Sequence, residues 1–280
     1  MLFRSGLYAA GLSTDELTAA LRDIDWKDAF QDAPSRQDLS YHRKQDDRGF
    51  LIKAKAGFKE GKVHFPKGLV QGQKLNLILK DLTMKVVKVT DFDSLKIPFR
   101  AVATDLGTGE PVVLGKGNLA TALRASMSIP GALEPVEIDG RVLVDGGVSN
   151  NLPIDVVRAM GADVVIAVSI GTPLSPAGEL KSVFAVTGQL TTIMTMQNTV
   201  RQIQTLGSGD ILIEPDLGDI STGDFTRALE AIPIGARGAL KSQAALAGYA
   251  RQPSDFQQWR AGLRSPESEG PWTIDFIEIE

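Results

Sequence analysis

Asp145-Gly146-Gly147 is the grouping in this chain with the most chemical content. A carboxylate stands at the end of a strand-like run, Val142-Leu143-Val144, and two residues without a Cβ follow it, so another group can approach closely. A carboxylate placed in this way can serve as a base if it is partly withdrawn from water. Asn150-Asn151 then forms a turn signal, and Pro153 suits the first turn of a helix. Upstream, Asp139-Gly140 is a two-residue hairpin signal between Val136-Glu137-Ile138 and Arg141-Val142-Leu143-Val144. With a side-chain period of two, Arg141, Leu143 and Asp145 share one face of the second strand. An Asp-Gly turn without chemistry fits the same local pattern.

The rest of the chain restricts which chemistry can accompany that acid. There are no cysteines, which excludes disulfides and thiolate metal sites, and only two histidines, His42 and His64. Both precede Asp145, whereas a Ser-His-Asp triad on an α/β-hydrolase runs serine, acid, histidine along the chain. They read as surface residues. No stretch of the sequence reads G-x-S-x-G. Ser5, in Arg4-Ser5-Gly6, has no preceding glycine, Ser126 and Ser128 flank Met127 without glycines, and Ser149 lacks the second one. A nucleophile elbow needs those small residues because its serine occupies a strained strand-to-helix turn. A nucleotide-binding reading has weak support in Asp145-Gly146-Gly147 and Gly161-Ala162-Asp163, but no G-x-G-x-x-G or P-loop exists.

Several elements must position the acid. Ser13 with Glu16 forms a capping box opening a helix over Thr14 to Asp23. Leu75, Leu77, Ile78, Leu79 and Leu82 give residues 73–82 an apolar helical face. Strands are expected at 97–104 and 111–114, and a helix from Leu119 to Met127. After the acid, 154–160 reads as a short helix closed by Gly161. Residues 162–170 read as a buried, parallel-type strand, and Ile211 to Pro215 as a last buried strand. Residues 224–250 read as helical with an interruption at Pro233. Phe50 to Phe58 and Lys62 to Phe65 read as an edge hairpin guarded by lysines.

The uncharged run from Ser182 to Val200 is too polar for a membrane span. Leu180, Val183, Phe184, Leu190, Ile193, Met194 and Val200 fit a helical stripe instead, expected to pack in the core or against a second copy.

The ordered set D-G-G-x-x-N-N-x-P from Asp145 to Pro153, followed by Gly161-Ala162-Asp163-Val164-Val165-Ile166-Ala167-Val168, resembles the patatin-like phospholipases. The similarity extends upstream through Asp25-Trp26, Arg43 to Arg48, Lys67 to Gln73, Ile97 to Asp105 and Arg124 to Gly131, covering most of residues 6–250. The resemblance implies an α/β fold, a three-layer α/β/α sandwich on a mostly parallel central sheet. It implies hydrolysis of lipid acyl esters by a Ser-Asp dyad, without metal or cofactor, with Asp145 as the base and Gly146 and Gly147 leaving room for the serine. In the family a Gly-rich loop and a G-x-S-x-G elbow precede sequence like Gly6 to Gly11. Their absence leads to the expectation of a domain lacking its first strand and nucleophile elbow, and so inactive as given. The alternative is a non-catalytic binding or scaffolding domain.

The implied division is a patatin-like domain over 1–250, a linker over 251–271, and, at 272–280, the first strand of a transport-associated domain such as precedes an outer-membrane barrel in some bacterial patatins. That places the full-length parent outside the cytoplasm, at the outer membrane or cell surface, with a cytoplasmic protein as the alternative. A phospholipid or other acyl-ester lipid, a membrane surface and a homodimer are the expected partners. The net charge of −4 argues against a nucleic-acid ligand. Nine Lys/Arg against four Asp/Glu over residues 35–67 read either as a solvated edge or as a contact for an anionic surface.

Overall fold

The structure is a computed structural model that describes residues 2–31, 40–41, 57–59, 62–64, 70–221 and 223–263. In chain order the helices are α1 (Leu2–Ala9), α2 (Thr14–Asp23), α3 (Trp26–Ala29), α4 (Gln73–Leu82), α5 (Leu119–Ser126), α6 (Gly147–Asn150), α7 (Ile154–Ala159), α8 (Val183–Ile203), α9 (Ala231–Lys241), α10 (Gln243–Ala247) and α11 (Pro253–Gly262). The strands are β1 (Gly57–Lys59), β2 (Lys62–His64), β3 (Ala101–Asp105), β4 (Pro111–Leu114), β5 (Val136–Ile138), β6 (Arg141–Asp145), β7 (Ile166–Val168) and β8 (Ile211–Ile213).

A four-stranded sheet in the order β4-β3-β6-β5 carries the acid at the end of β6. Each of its pairings is antiparallel. Among the described residues, parallel pairing links β7 to β8, and an isolated parallel bridge joins Val70 to Leu133. The α/β class therefore holds, but the sheet beside Asp145 is not the mostly parallel one expected. The reason is local. The β3–β4 and β5–β6 connections are tight turns, which allow only antiparallel pairing, whereas parallel strands need a long crossover. The β5–β6 turn has Asp139 and Gly140 at φ 51° and 74°, the double left-handed geometry of a type I′ hairpin.

The core lies where α1, α2, α4 and α5 cover this sheet, with Leu7, Leu75, Leu79, Leu123 and Leu143 fully buried. Helix α1 approaches α5 closely: a Cβ on Gly6 would stand 2.5 Å from Leu123 Cδ2. Helix α2 starts with the expected reciprocal cap, Glu16 N–H donating to Ser13 Oγ at 3.2 Å and Ser13 N–H donating to Glu16 Oε2 at 2.7 Å. Replacing Ser13 with Ala is expected to cost about 1 kcal/mol, read as a lower urea midpoint; an unchanged midpoint would show that α2 is held by packing alone.

Other expectations need correction. Strand β7 is short and only Ala167 on it is buried, while Ile166 and Val168 are exposed. A strand buried on both faces is therefore not found here, because no described element covers that side. Helix α8 forms as expected, but Val183, Leu190, Met194 and Val200 face solvent rather than the core. Pro233 lies in the first turn of α9 and does not interrupt it, since first-turn amides have no intrahelical acceptor to lose. Within 251–271, residues 253–262 form α11, started by Pro253 in its first turn. β1 and β2 form the expected hairpin, whereas the rest of Phe50 to Phe65, most of the basic stretch and the strand-like tail at 272–280 lie outside the described residues.

Candidate active site

Asp145 is fixed by its backbone before its side chain is considered. It pairs with Ala103 across the β3–β6 ladder. Its amide donates to Ser128 O at 2.9 Å, and its carbonyl accepts from Thr104 Oγ1 at 2.8 Å. Thr104 Oγ1 also lies 2.8 Å from Ser149 Oγ, linking the strand end to the turn that follows. The side chain is half-buried and turned back onto the chain, where its Oδ1 accepts the Gly147 amide at 2.6 Å. Burial raises its pKa above the ordinary aspartate range, and the Gly147 hydrogen bond only partly offsets this. A carboxylate held this way is a stronger base than a solvated one.

The two glycines have different roles. At Gly146 an added Cβ would lie 2.1 Å from Val102 O, so the space that sequence reading assigned to an incoming serine is occupied here by the backbone of β3. At Gly147 a Cβ would stand 3.0 Å from Asp145 Oδ1 and 3.1 Å from Asn151 Oδ1, in the space in front of the carboxylate.

The residues that sequence reasoning missed lie on α8. Asn198 Nδ2 donates to Gly147 O at 2.9 Å and Val148 O at 3.2 Å, and its Oδ1 accepts from Asn151 N at 2.9 Å. Thr195 Oγ1 donates to Gly147 O at 3.0 Å, and Asn151 Nδ2 donates to Thr199 Oγ1 at 3.1 Å. Gln202 Oε1 accepts from Asp155 N at 3.2 Å. Thr195, Asn198, Thr199 and Gln202 stand at i, i+3, i+4 and i+7, one face of a helix. That spacing is present in the sequence, on the face of the helix opposite the apolar stripe.

No described serine hydrogen-bonds the Asp145 carboxylate. Ser126 Oγ is spent on Val102 O. Ser128 Oγ donates to Arg124 O at 2.8 Å and accepts from the buried Arg124 guanidinium at 2.5 Å. Arg124 also donates to Gln71 O and Glu134 O, tying the segment before α4 to the loop before β5. Ser5 is exposed on α1. His64 lies in β2, and His42 is outside the described residues. Among the described residues no group of His, Asp and Glu has the arrangement of a metal site, and no helix is long and apolar enough to cross a membrane. A cavity of about 210 Å³ between α2, α3 and residues 225–229 is lined by Leu21, Trp26, Phe225 and Leu229 among others, and by none of the D-G-G residues.

Asp145 thus stands half-buried at a strand end, followed by two glycines and a short helix. The family model for patatin-like phospholipases matches residues 4–158, from α1 through that acid to α7, and the chain belongs to this family. It is 40% identical over 111 residues to an uncharacterised NTE family protein of Mycobacterium tuberculosis, covering 39% of this chain and 30% of that protein. A second such protein from the same organism is 32% identical over 169 residues, 52% of this chain and 29% of its own length. Patatin-like phospholipase domain-containing protein 7 of Mus musculus is 42% identical over 89 residues, 31% of this chain and 7% of that protein. The match thus spans less than a third of each of these relatives.

Proposed function

We propose that this chain is the acid-bearing part of a lipid acyl hydrolase, in which Asp145 is the base for a serine supplied by polypeptide outside the 280 residues. The observation that carries the reading is the Asp145 carboxylate itself. It is desolvated, raised in pKa, oriented by Gly147, and without a hydroxyl partner among the described residues. A base that takes a proton directly from serine needs that environment, and since no histidine among the described residues hydrogen-bonds the carboxylate, the two-residue arrangement is the economical one. The absence of G-x-S-x-G makes the chain inactive alone.

The substrate class proposed is a phospholipid or other acyl-ester lipid, met at a membrane surface, in keeping with the family name and with the name of the mouse relative. The apolar outer side of α8 offers a contact for that surface or for a second copy. For the full-length parent we propose an extracytoplasmic place beside a transport-associated domain, on the alternating pattern Trp272 to Glu280; the coding sequence beyond Glu280 tests it.

The activity test is a fluorophosphonate serine probe and a short-chain ester. The 280-residue chain is expected to give neither labelling nor turnover. A version extended upstream through an in-frame G-x-S-x-G is expected to give both. Asp145→Asn in that version should lower turnover by about 10²–10⁴-fold, the range for a lost general base, with the fold intact. The second reading, a non-catalytic binding domain, is favoured by the lack of a serine on the carboxylate among the described residues. It gains if the upstream coding sequence holds no such motif.

A further inference from the structure

We infer that Asn198 is a positioning residue for Asp145, acting through Gly147 from a helix that lies outside the 4–158 span matched by the family model. The inference deepens the reading of Asp145 as a base, but its test does not need turnover.

The Asp145 carboxylate has a single hydrogen-bond donor among the described residues, the Gly147 amide. The peptide plane bearing that amide is held locally through Gly146 O, which accepts from Asn150 N at 2.8 Å and Ser149 N at 3.2 Å. The plane that follows Gly147 has no such local bond among the described residues, and Gly147 has no side chain to restrain it. It also opens α6, a single turn of helix, and a helix so short is not self-supporting. At its far end such a turn leaves carbonyls with no intrahelical partner. The Gly147 and Val148 carbonyls are the ones α8 takes up: Asn198 Nδ2 reaches both, at 2.9 and 3.2 Å, and Thr195 Oγ1 adds a second donor to Gly147 O at 3.0 Å. From its other side Asn198 Oδ1 accepts the Asn151 amide, which closes the turn. One side chain thus anchors three backbone groups of residues 147–151. The fixed Gly147 carbonyl holds that residue in place, and so keeps its N–H aimed at Asp145 Oδ1. Asn198 makes no hydrogen bond to the carboxylate itself.

Two NMR readouts in the 280-residue chain test this: the Gly147 amide proton and the titration of the ¹³C-labelled Asp145 carboxyl. In the parent the short bond from Gly147 should give a downfield amide proton that responds to the ionisation of Asp145. Asn198→Ala is expected to move that proton upfield and to raise the Asp145 pKa further, because the bond that opposes desolvation is weakened. Thr195→Val should do the same to a smaller degree. Thr192→Ala serves as control, since the Thr192 hydroxyl bonds only within α8, to Gly188 O, and it should change neither readout. Folded Asn198→Ala with both readouts unchanged overturns the inference. If Asn198→Ala does not fold, Thr195→Val decides it by the same two measurements, an unchanged pair again overturning it. Because neither readout depends on a serine, loss of the base assignment for Asp145 would leave this result standing, and the reverse.

Discussion

Gly146→Ala is expected to cost about 3 kcal/mol or more, visible as a large fall in the urea midpoint or as loss of soluble protein. The backbone of Gly146 is not the obstacle, because its φ and ψ of −64° and −22° suit any residue. The obstacle is space. The new methyl would lie 2.1 Å from Val102 O, 2.6 Å from Val102 C and 3.2 Å from Ala103 N. These are main-chain atoms of β3, whose Val102 and Ala103 are 1% and 0% exposed. That strand cannot retreat, since it is paired to β4 on one side and to β6 on the other. Overpacking typically costs about 1–3 kcal/mol when side chains can shift; against a fixed backbone the upper end is the floor, in a domain whose total stability is roughly 5–15 kcal/mol. Gly147→Ala is the contrasting case. Its nearest atoms are the ends of the Asp145 and Asn151 side chains, which can move by a few tenths of an ångström. It should fold and disturb the carboxylate. Equal midpoints for Gly146→Ala and the parent would mean that the D-G-G turn does not press on β3 as described.

The contrast also marks how far the sequence could be read. Local signals served well: the Ser13–Glu16 capping box, the Asp139-Gly140 hairpin, α4 at 73–82 and β4 at 111–114 all stand where propensity and spacing put them. Each is decided within a few residues. The candidate site was legible as far as the position of the acid and its glycines at the end of β6, since a strand that stops at Asp-Gly-Gly is a local pattern. What the glycines touch was not, because Val102 is 44 positions from Gly146, and nothing in either neighbourhood announces the other. The same holds for α8. Its apolar residues pointed to packing in the core or against a second copy, and the structure sets the core alternative aside by turning the uncharged polar face inward, with Thr199 buried. The core alternative is excluded because the surface that α8 covers is the polar backbone of the D-G-G turn, whose carbonyls and amides need donors and acceptors more than apolar cover. The sheet's direction was missed for a related reason: the family expectation of a mostly parallel sheet outweighed two hairpin turns that each required antiparallel pairing.

Asp145→Asn in the chain as given is expected to raise stability at neutral pH, and the gain should vanish in acid. The folded-state pKa of Asp145 is raised by burial, while in the unfolded chain an aspartate titrates near about 3.9. Above the folded value both states are ionised, and the folded state carries the whole cost of a desolvated charge. As pH falls through the folded value the folded state takes up a proton first, so the cost shrinks, and below the unfolded value both states are neutral and it is gone. Asparagine has the same shape and no charge, and its carbonyl can still accept from the Gly147 amide. It therefore removes the cost wherever the parent pays it. The expected record is a melting temperature higher for Asp145→Asn at pH 7, a difference that narrows between the raised folded pKa and about pH 4, and coincidence below that. A variant less stable than the parent at pH 7 would mean that the charge of Asp145 is compensated in the fold, and would remove the reason for reading it as a base. The expected result places Asp145 among residues kept at a cost to stability, as the groups of functional sites commonly are.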